Sequence, residues 1–132
     1  MKSLLSTIAS ILLIFNGLSA IYGGWHLITS PDGSSLQMPL IILDKSPFTD
    51  YYIPGIILFV ANGIASLAVF VAILVKPRKL AWLISVQGAI LTGWILIQVI
   101  MIQAVSPLHF IYGAVGVALI VVGRQITQSS RV

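Results

Sequence analysis

Cysteine is absent from these 132 residues. Without a thiol the chain can run no disulfide exchange and carry no thiolate nucleophile, Cys-ligated zinc, thiolate-bound haem or iron–sulfur cluster. Charge is nearly as scarce. Only 8% of the residues are charged, whereas a soluble domain carries roughly 25%. The acids are Asp32, Asp44 and Asp50, and no Asp, Glu, Lys or Arg falls in the middle of any apolar run. Proton-coupled pumps, small drug exporters and ion carriers usually need an ionisable group at that depth, so this shortage argues against a secondary transporter. The formal charge of +4 is no nucleic-acid footprint either. Its densest cluster, "KPRK" at Lys76 to Lys79, is a three-charge turn and not the extended basic patch such binding needs.

What the chain does have is apolar surface. With 58% hydrophobic residues it could not cover a water-facing exterior, so it belongs in lipid. The length leaves room for one domain over 1–132. Four runs predict transmembrane helices at about 4–22, 53–75, 80–103 and 106–122, each judged against the roughly 20 residues that span a bilayer. The expected fold is an all-α integral-membrane four-helix bundle with a long structured loop over 23–52. The start "MKSLLSTIASILLIFNGLSA" has a basic first turn, but Leu18 stands where a signal-peptide cut after Ala20 would want a small residue. The run is therefore expected to stay as the first helix.

Orientation follows from the basic residues. With both termini cytoplasmic, Lys2, Lys76, Arg78, Lys79, Arg124 and Arg131 lie inside and Lys45 alone lies outside, a strong positive-inside bias. The short links after the second and third helices make those pairs antiparallel neighbours. In the long loop, "TSPDGSS" is a turn signal, and "LQMPLIIL" is too short to span and suits an interfacial or re-entrant segment or a short edge strand. In "SPFTDYYIPG", Ser46 suits an N-cap, Pro47 the first helical position, and Asp50 the dipole-favoured first or second turn. Tyr51 and Tyr52 suit an interfacial aromatic belt, and Pro54 either is tolerated near a helix start or separates a brief interfacial helix from the true span.

Within the helices, Ala81, Ser85, Ala89 and Gly93 recur every four residues and form a small face for close helix approach, within the chain or between copies. Ala61 with Ala65 and Ala114 with Ala118 repeat the spacing. The polar residues are amides and imidazoles. Asn16 falls toward the outer side of the first run and Asn62 about ten residues into the second, while Gln87, Trp94 and Gln98 share a stripe of the third. Gln103 lies beyond them, and His109 and Tyr112, three apart, begin the fourth helix on the same outer side. Interhelical hydrogen bonding is the ordinary role for such groups. The topology also brings His26 and His109 to one surface with the three acids, the donor types of a divalent metal site or a His-Asp acid-base pair if they converge. The spacing shows no ligand motif, and Ser34, Ser35, Ser46 and Ser106 carry no nucleophile signature.

Pro31, Asp32 and Gly33, Met38 and Pro39, and above all "SPFTDYYIPG" at Ser46 to Gly55 resemble the pattern of a family of small uncharacterised bacterial four-helix membrane proteins, as do Gly93, Trp94 and Gln98. The resemblance implies a multi-pass protein of the bacterial inner (cytoplasmic) membrane and carries no catalytic list and no cofactor. Two functional readings stand open. The leading one is a nonenzymatic accessory subunit or binder of a lipid-like or other apolar ligand. The alternative is an integral-membrane enzyme or quinone-binding protein at the outer interface. The ligand-contact candidates are Gln98, His109, Tyr112, Trp94, Asn62, His26 and Asp50, and the structural ones Ser46, Pro47, Pro54, Ser85, Ala89 and Gly93. Expected partners are membrane lipids, an apolar small molecule, and a second copy or another membrane protein.

Overall fold

The computed structural model describes residues 2–36, 40–44, 46–102 and 107–130. Met38, Pro39, Lys45, Gln103, Ser106 and Arg131 lie outside them. Four helices form: α1 (Lys2–Thr29), α2 (Tyr52–Val75), α3 (Trp82–Ile102) and α4 (Pro107–Ser130). Each is long and apolar enough to cross a membrane, and the chain is an all-α four-helix membrane bundle with its long connection after α1.

The first helix runs past Tyr22 and takes in Gly23 to Thr29, which were expected in the loop. Its glycines do not break it because they are contact points. A Cβ on Gly24 would stand 2.7 Å from the Phe59 Cβ and 2.9 Å from the Gly55 carbonyl oxygen, and one on Gly55 would stand 2.7 Å from the Leu27 Cβ. Deeper along the same pair, a Cβ on Gly63 would meet Ile21, and one on Gly17 would meet Leu67. Glycine on both partners lets the α1 and α2 backbones approach closely, the membrane route to van der Waals association. The helix stops where the Ser30 amide bonds the His26 carbonyl at 2.8 Å and Pro31 follows, a residue that disfavours helix before it.

A second glycine seam joins α3 to α4. A Cβ on Gly88 would lie 2.6 Å from the Gly116 carbonyl oxygen and 2.7 Å from the Ile120 amide nitrogen. One on Gly116 would overlap the Thr92 hydroxyl, and one on Gly123 would stand 2.6 Å from the Ser85 amide nitrogen. Ser85 also donates to the Ile120 carbonyl at 2.9 Å. The seam on α3 is thus Ser85, Gly88 and Thr92, which corrects the small face expected within the chain. Ala89 is exposed, and a Cβ on Gly93 would meet nothing within 4 Å. Strict four-residue spacing overshoots a helical turn by about 40° each step, so by Gly93 the row has turned about 120° away from Ala81. Only mixed steps of three and four keep facing one neighbour. Helix α4 also continues past Val122, where it was expected to end, and carries the buried Ile126.

The interior is one apolar layer that includes Leu13, Val69, Ile73, Ile84, Leu91, Val115 and Leu119. A smaller cluster of Leu27, Leu43 and Tyr51, flanked by Leu36, Phe48 and Leu58, sits beneath the long loop. Outward, Tyr22, Trp25, Val71, Leu74, Ile100 and Phe110 are exposed, which suits hydrocarbon contact around the bundle and aromatic residues near its ends.

Among its described residues the loop holds two 3₁₀ turns, Ser34–Leu36 and Leu40–Leu43. The second replaces the strand considered for the apolar segment, and it rests against α3. The Pro-Asp-Gly turn forms as the sequence suggests. Gly33 takes a φ of 80°, and Asp32 Oδ1 accepts from the Ser34 amide at 2.9 Å. The bonds from Ser34 hold the Asp32 carboxyl below its ordinary range. The depression means that the carboxylate is favoured in the folded turn above its unfolded value, and this preference fades only as pH falls through the lowered one.

Candidate functional site

Helix α2 begins at Tyr52, one residue before the span expected at 53–75, and the helical turn expected from Ser46 does not form. Ser46 instead closes a local turn, accepting from the Phe48 amide at 3.2 Å and donating to the Leu43 carbonyl at 2.9 Å, and Pro47 is non-helical. Pro54 decides the matter. A helix started at Pro47 would need the Pro54 amide to donate to the Asp50 carbonyl, and proline has no such hydrogen. Starting at Tyr52 puts Pro54 in the first turn, where amides need no helical partner. Asp50 therefore lies just before the helix, not in its first or second turn. Its Oδ1 accepts from the Tyr52 amide at 3.0 Å, at the positive end of the dipole. Tyr51 is buried against Leu27 and Leu43, its amide bonds the Pro31 carbonyl at 2.8 Å, and burial raises its phenol above the ordinary value.

This geometry sets a first prediction. Asp50→Asn keeps an oxygen for the Tyr52 amide and should melt close to the parent, while Asp50→Ala should lose about 0.5 to 2 kcal/mol, as for a lost cap. Melting curves in one detergent compare them, and equal losses for both would assign the effect to charge instead.

The polar residues of the helices separate into two groups. The first lies toward the loop end of α3 and α4. His109 is buried, and its Nε2 lies 3.2 Å from Gln98 Oε1. With that oxygen accepting, Nε2 carries the proton. One turn before Gln98 on the same helix is Trp94, 7% exposed, whose indole Nε1 is buried without a hydrogen-bond partner among the described residues. Tyr112, one turn after His109, stacks on Phe15 of α1 with ring centroids 5.5 Å apart. Trp94, Gln98 and His109 thus form one group, with Tyr112 beside it and engaged by α1.

The second group lies at mid-helix among α1, α2 and α3. Because α1 reaches Thr29, Asn16 sits near its middle and not toward one end. Its Nδ2 donates to Ser66 Oγ at 2.8 Å and to the Asn62 carbonyl at 3.5 Å. Gln87 Nε2 of α3 donates to the Ala61 carbonyl at 3.0 Å. Both carbonyls belong to a π-helical stretch of α2, Leu58–Ile64, where the hydrogen-bond ladder departs from the α pattern. Asn62 itself is fully buried, and neither its Oδ1 nor its Nδ2 has a partner among the described residues. Ser66, four residues after Asn62 on the same face, went unnoticed in the sequence, although that spacing was its signal.

His26, at the end of α1, and Asp50, just before α2, join neither group. His26 Nδ1 lies 3.1 Å from Ser35 Oγ and the ring meets Tyr22 edge-on, which ties the first 3₁₀ turn to the end of α1. Among the described residues no three His, Asp or Glu side chains gather closely enough for a metal ion, so the histidines and loop acids do not converge there.

Comparison with protein-family models, with curated proteins and with solved structures finds no match to this chain. The site is consequently read from its own chemistry.

Proposed function

We propose that this protein binds, without catalysis, a lipid-like or other apolar molecule whose hydrogen-bond acceptor is received beside Trp94, Gln98 and His109. The observation that carries this reading is the buried indole N–H of Trp94, which has no partner among the described residues although it sits one turn from a bonded amide-imidazole pair. A buried donor left unpaired costs free energy, so an acceptor delivered from the membrane is favoured there. A carbonyl or ester oxygen on an apolar body fits that need, and a quinone falls in the same class because its carbonyls accept hydrogen bonds.

The test uses detergent-purified protein with the exposed Trp25 and Trp82 changed to Phe, which leaves Trp94 as the lone indole. Monooleoylglycerol and ubiquinone serve as carbonyl-bearing probes, read by Trp94 fluorescence in the parent and by equilibrium retention in all forms. Trp94→Phe keeps an aromatic ring and removes the N–H, and should weaken retention roughly 5- to 10-fold, the worth of about 1 kcal/mol from one hydrogen bond. Equal retention by both forms would end the proposal.

The resemblance of "SPFTDYYIPG" to the small bacterial family supports an inner-membrane location, and the Lys and Arg distribution supports cytoplasmic termini with the long loop outside. Single cysteines at Ser34 and Lys79 test that orientation, since the chain has none of its own. An impermeant thiol reagent on spheroplasts should label Ser34→Cys alone, and the reverse pattern would invert the topology.

A further inference from the structure

We infer that the mid-helix group is a second binding site, in which the amide of Asn62 holds one hydroxyl group, either an ordered water or the hydroxyl of an apolar alcohol. Asn62 is fully buried, and neither Oδ1 nor Nδ2 has a partner among the described residues. The need is therefore for a donor and an acceptor together. A hydroxyl supplies both, donating its hydrogen to Oδ1 and accepting from Nδ2 with its oxygen, whereas a carbonyl could answer only Nδ2. The surrounding polar groups do not fill this need, because the amide nitrogens of Asn16 and Gln87 are directed to Ser66 and to the Asn62 and Ala61 carbonyls. Those bonds do locate the site. They tie α1 and α3 to the π-helical stretch of α2 that carries Asn62, a backbone form that recurs at functional sites. The assignment is independent of the Trp94 site, which asks only for an acceptor.

A high-resolution density map of the wild-type protein decides the question directly. An ordered feature within hydrogen-bond distance of both Asn62 Oδ1 and Nδ2 is the expected result, and a map with none would overturn the site. Melting with dodecanol against dodecane then separates the two sources. A rise in melting temperature of several degrees with dodecanol alone, lost in Asn62→Leu, identifies the alcohol hydroxyl. The same density with no dodecanol response identifies water. Because the map needs no variant, failure of Asn62→Leu to fold leaves the test intact.

Discussion

Replacing Gly116 by Leu should be among the most damaging single changes in this chain. The first carbon of the new side chain would overlap the Thr92 hydroxyl and press to 3.1 Å on the Gly88 carbonyl oxygen and the Thr92 amide nitrogen. Those last two are backbone atoms of α3, so no rotamer change relieves the contact and the helices must part. Overpacking typically costs about 1 to 3 kcal/mol, and this substitution should reach the upper end of that range or pass it. The seam would also lose the bond from Ser85 to the Ile120 carbonyl, one turn away. Ala89→Leu is the matched control. That position is exposed, and a change there should stay within about 0.5 kcal/mol. Thermal unfolding and size-exclusion in one detergent compare the pair. Comparable destabilisation would discard the Gly88–Gly116 seam, and a shift of oligomeric state by Ala89→Leu alone would show that the row through Ala89 meets a second copy.

The second large effect is expected at the other seam and is read at the loop. In Gly24→Leu the added Cβ would stand 2.8 Å from the Phe59 amide nitrogen and 2.9 Å from the Gly55 carbonyl oxygen, backbone atoms of α2 near its start. Pushing α2 off α1 there would also strain the cluster of Leu27, Leu43 and Tyr51 and the bond from the Tyr51 amide to the Pro31 carbonyl that close the loop over the bundle. A cysteine at Ser34 should consequently react several-fold faster with a thiol reagent in the Gly24→Leu background, with stability reduced by roughly 1 to 3 kcal/mol. The adjacent Gly23 makes a stringent comparison. A Cβ there would meet only the Leu58 Cδ2 at 3.4 Å, ordinary contact with a flexible side chain. If Gly23→Leu and Gly24→Leu had the same effect on both readouts, the close approach of α1 and α2 would not be what holds the loop.

These seams mark where sequence reading stopped. The periodicity of small residues on the third helix was visible, but a row read at four-residue steps drifts around the helix, and nothing in one strand of text says which face meets a neighbour. Gly88, Gly116 and Gly123 became meaningful only as facing positions of α3 and α4. The second span, expected at 53–75, runs Tyr52–Val75, whereas the helical turn expected from Ser46 does not form. The missing amide of Pro54 is a local signal, and it favours a helix entry close to Tyr52 over one at Ser46.

The candidate site divides similarly. The stripe of Gln87, Trp94 and Gln98 followed from helical spacing, and His109 with Tyr112 from a three-residue step. That Gln98 and His109 bond each other, that Trp94 Nε1 and the Asn62 amide are left without partners, and that the histidines and acids do not gather among the described residues are facts of packing.

What the amino-acid sequence determined alone is the solvent and the element count. A chain so poor in charge cannot cover itself against water, and four apolar runs in lipid must satisfy their backbone groups as helices, whatever their neighbours. Pairing, helix length and the placement of unpaired polar atoms were decided by tertiary structure. The reason is physical. Hydrocarbon is as apolar as the helices' own side chains, so burial gives little preference for one helix face over another, and close van der Waals fit at a few glycines makes the choice. Such fit depends on the backbones of two helices at once, and neither helix's sequence contains the other.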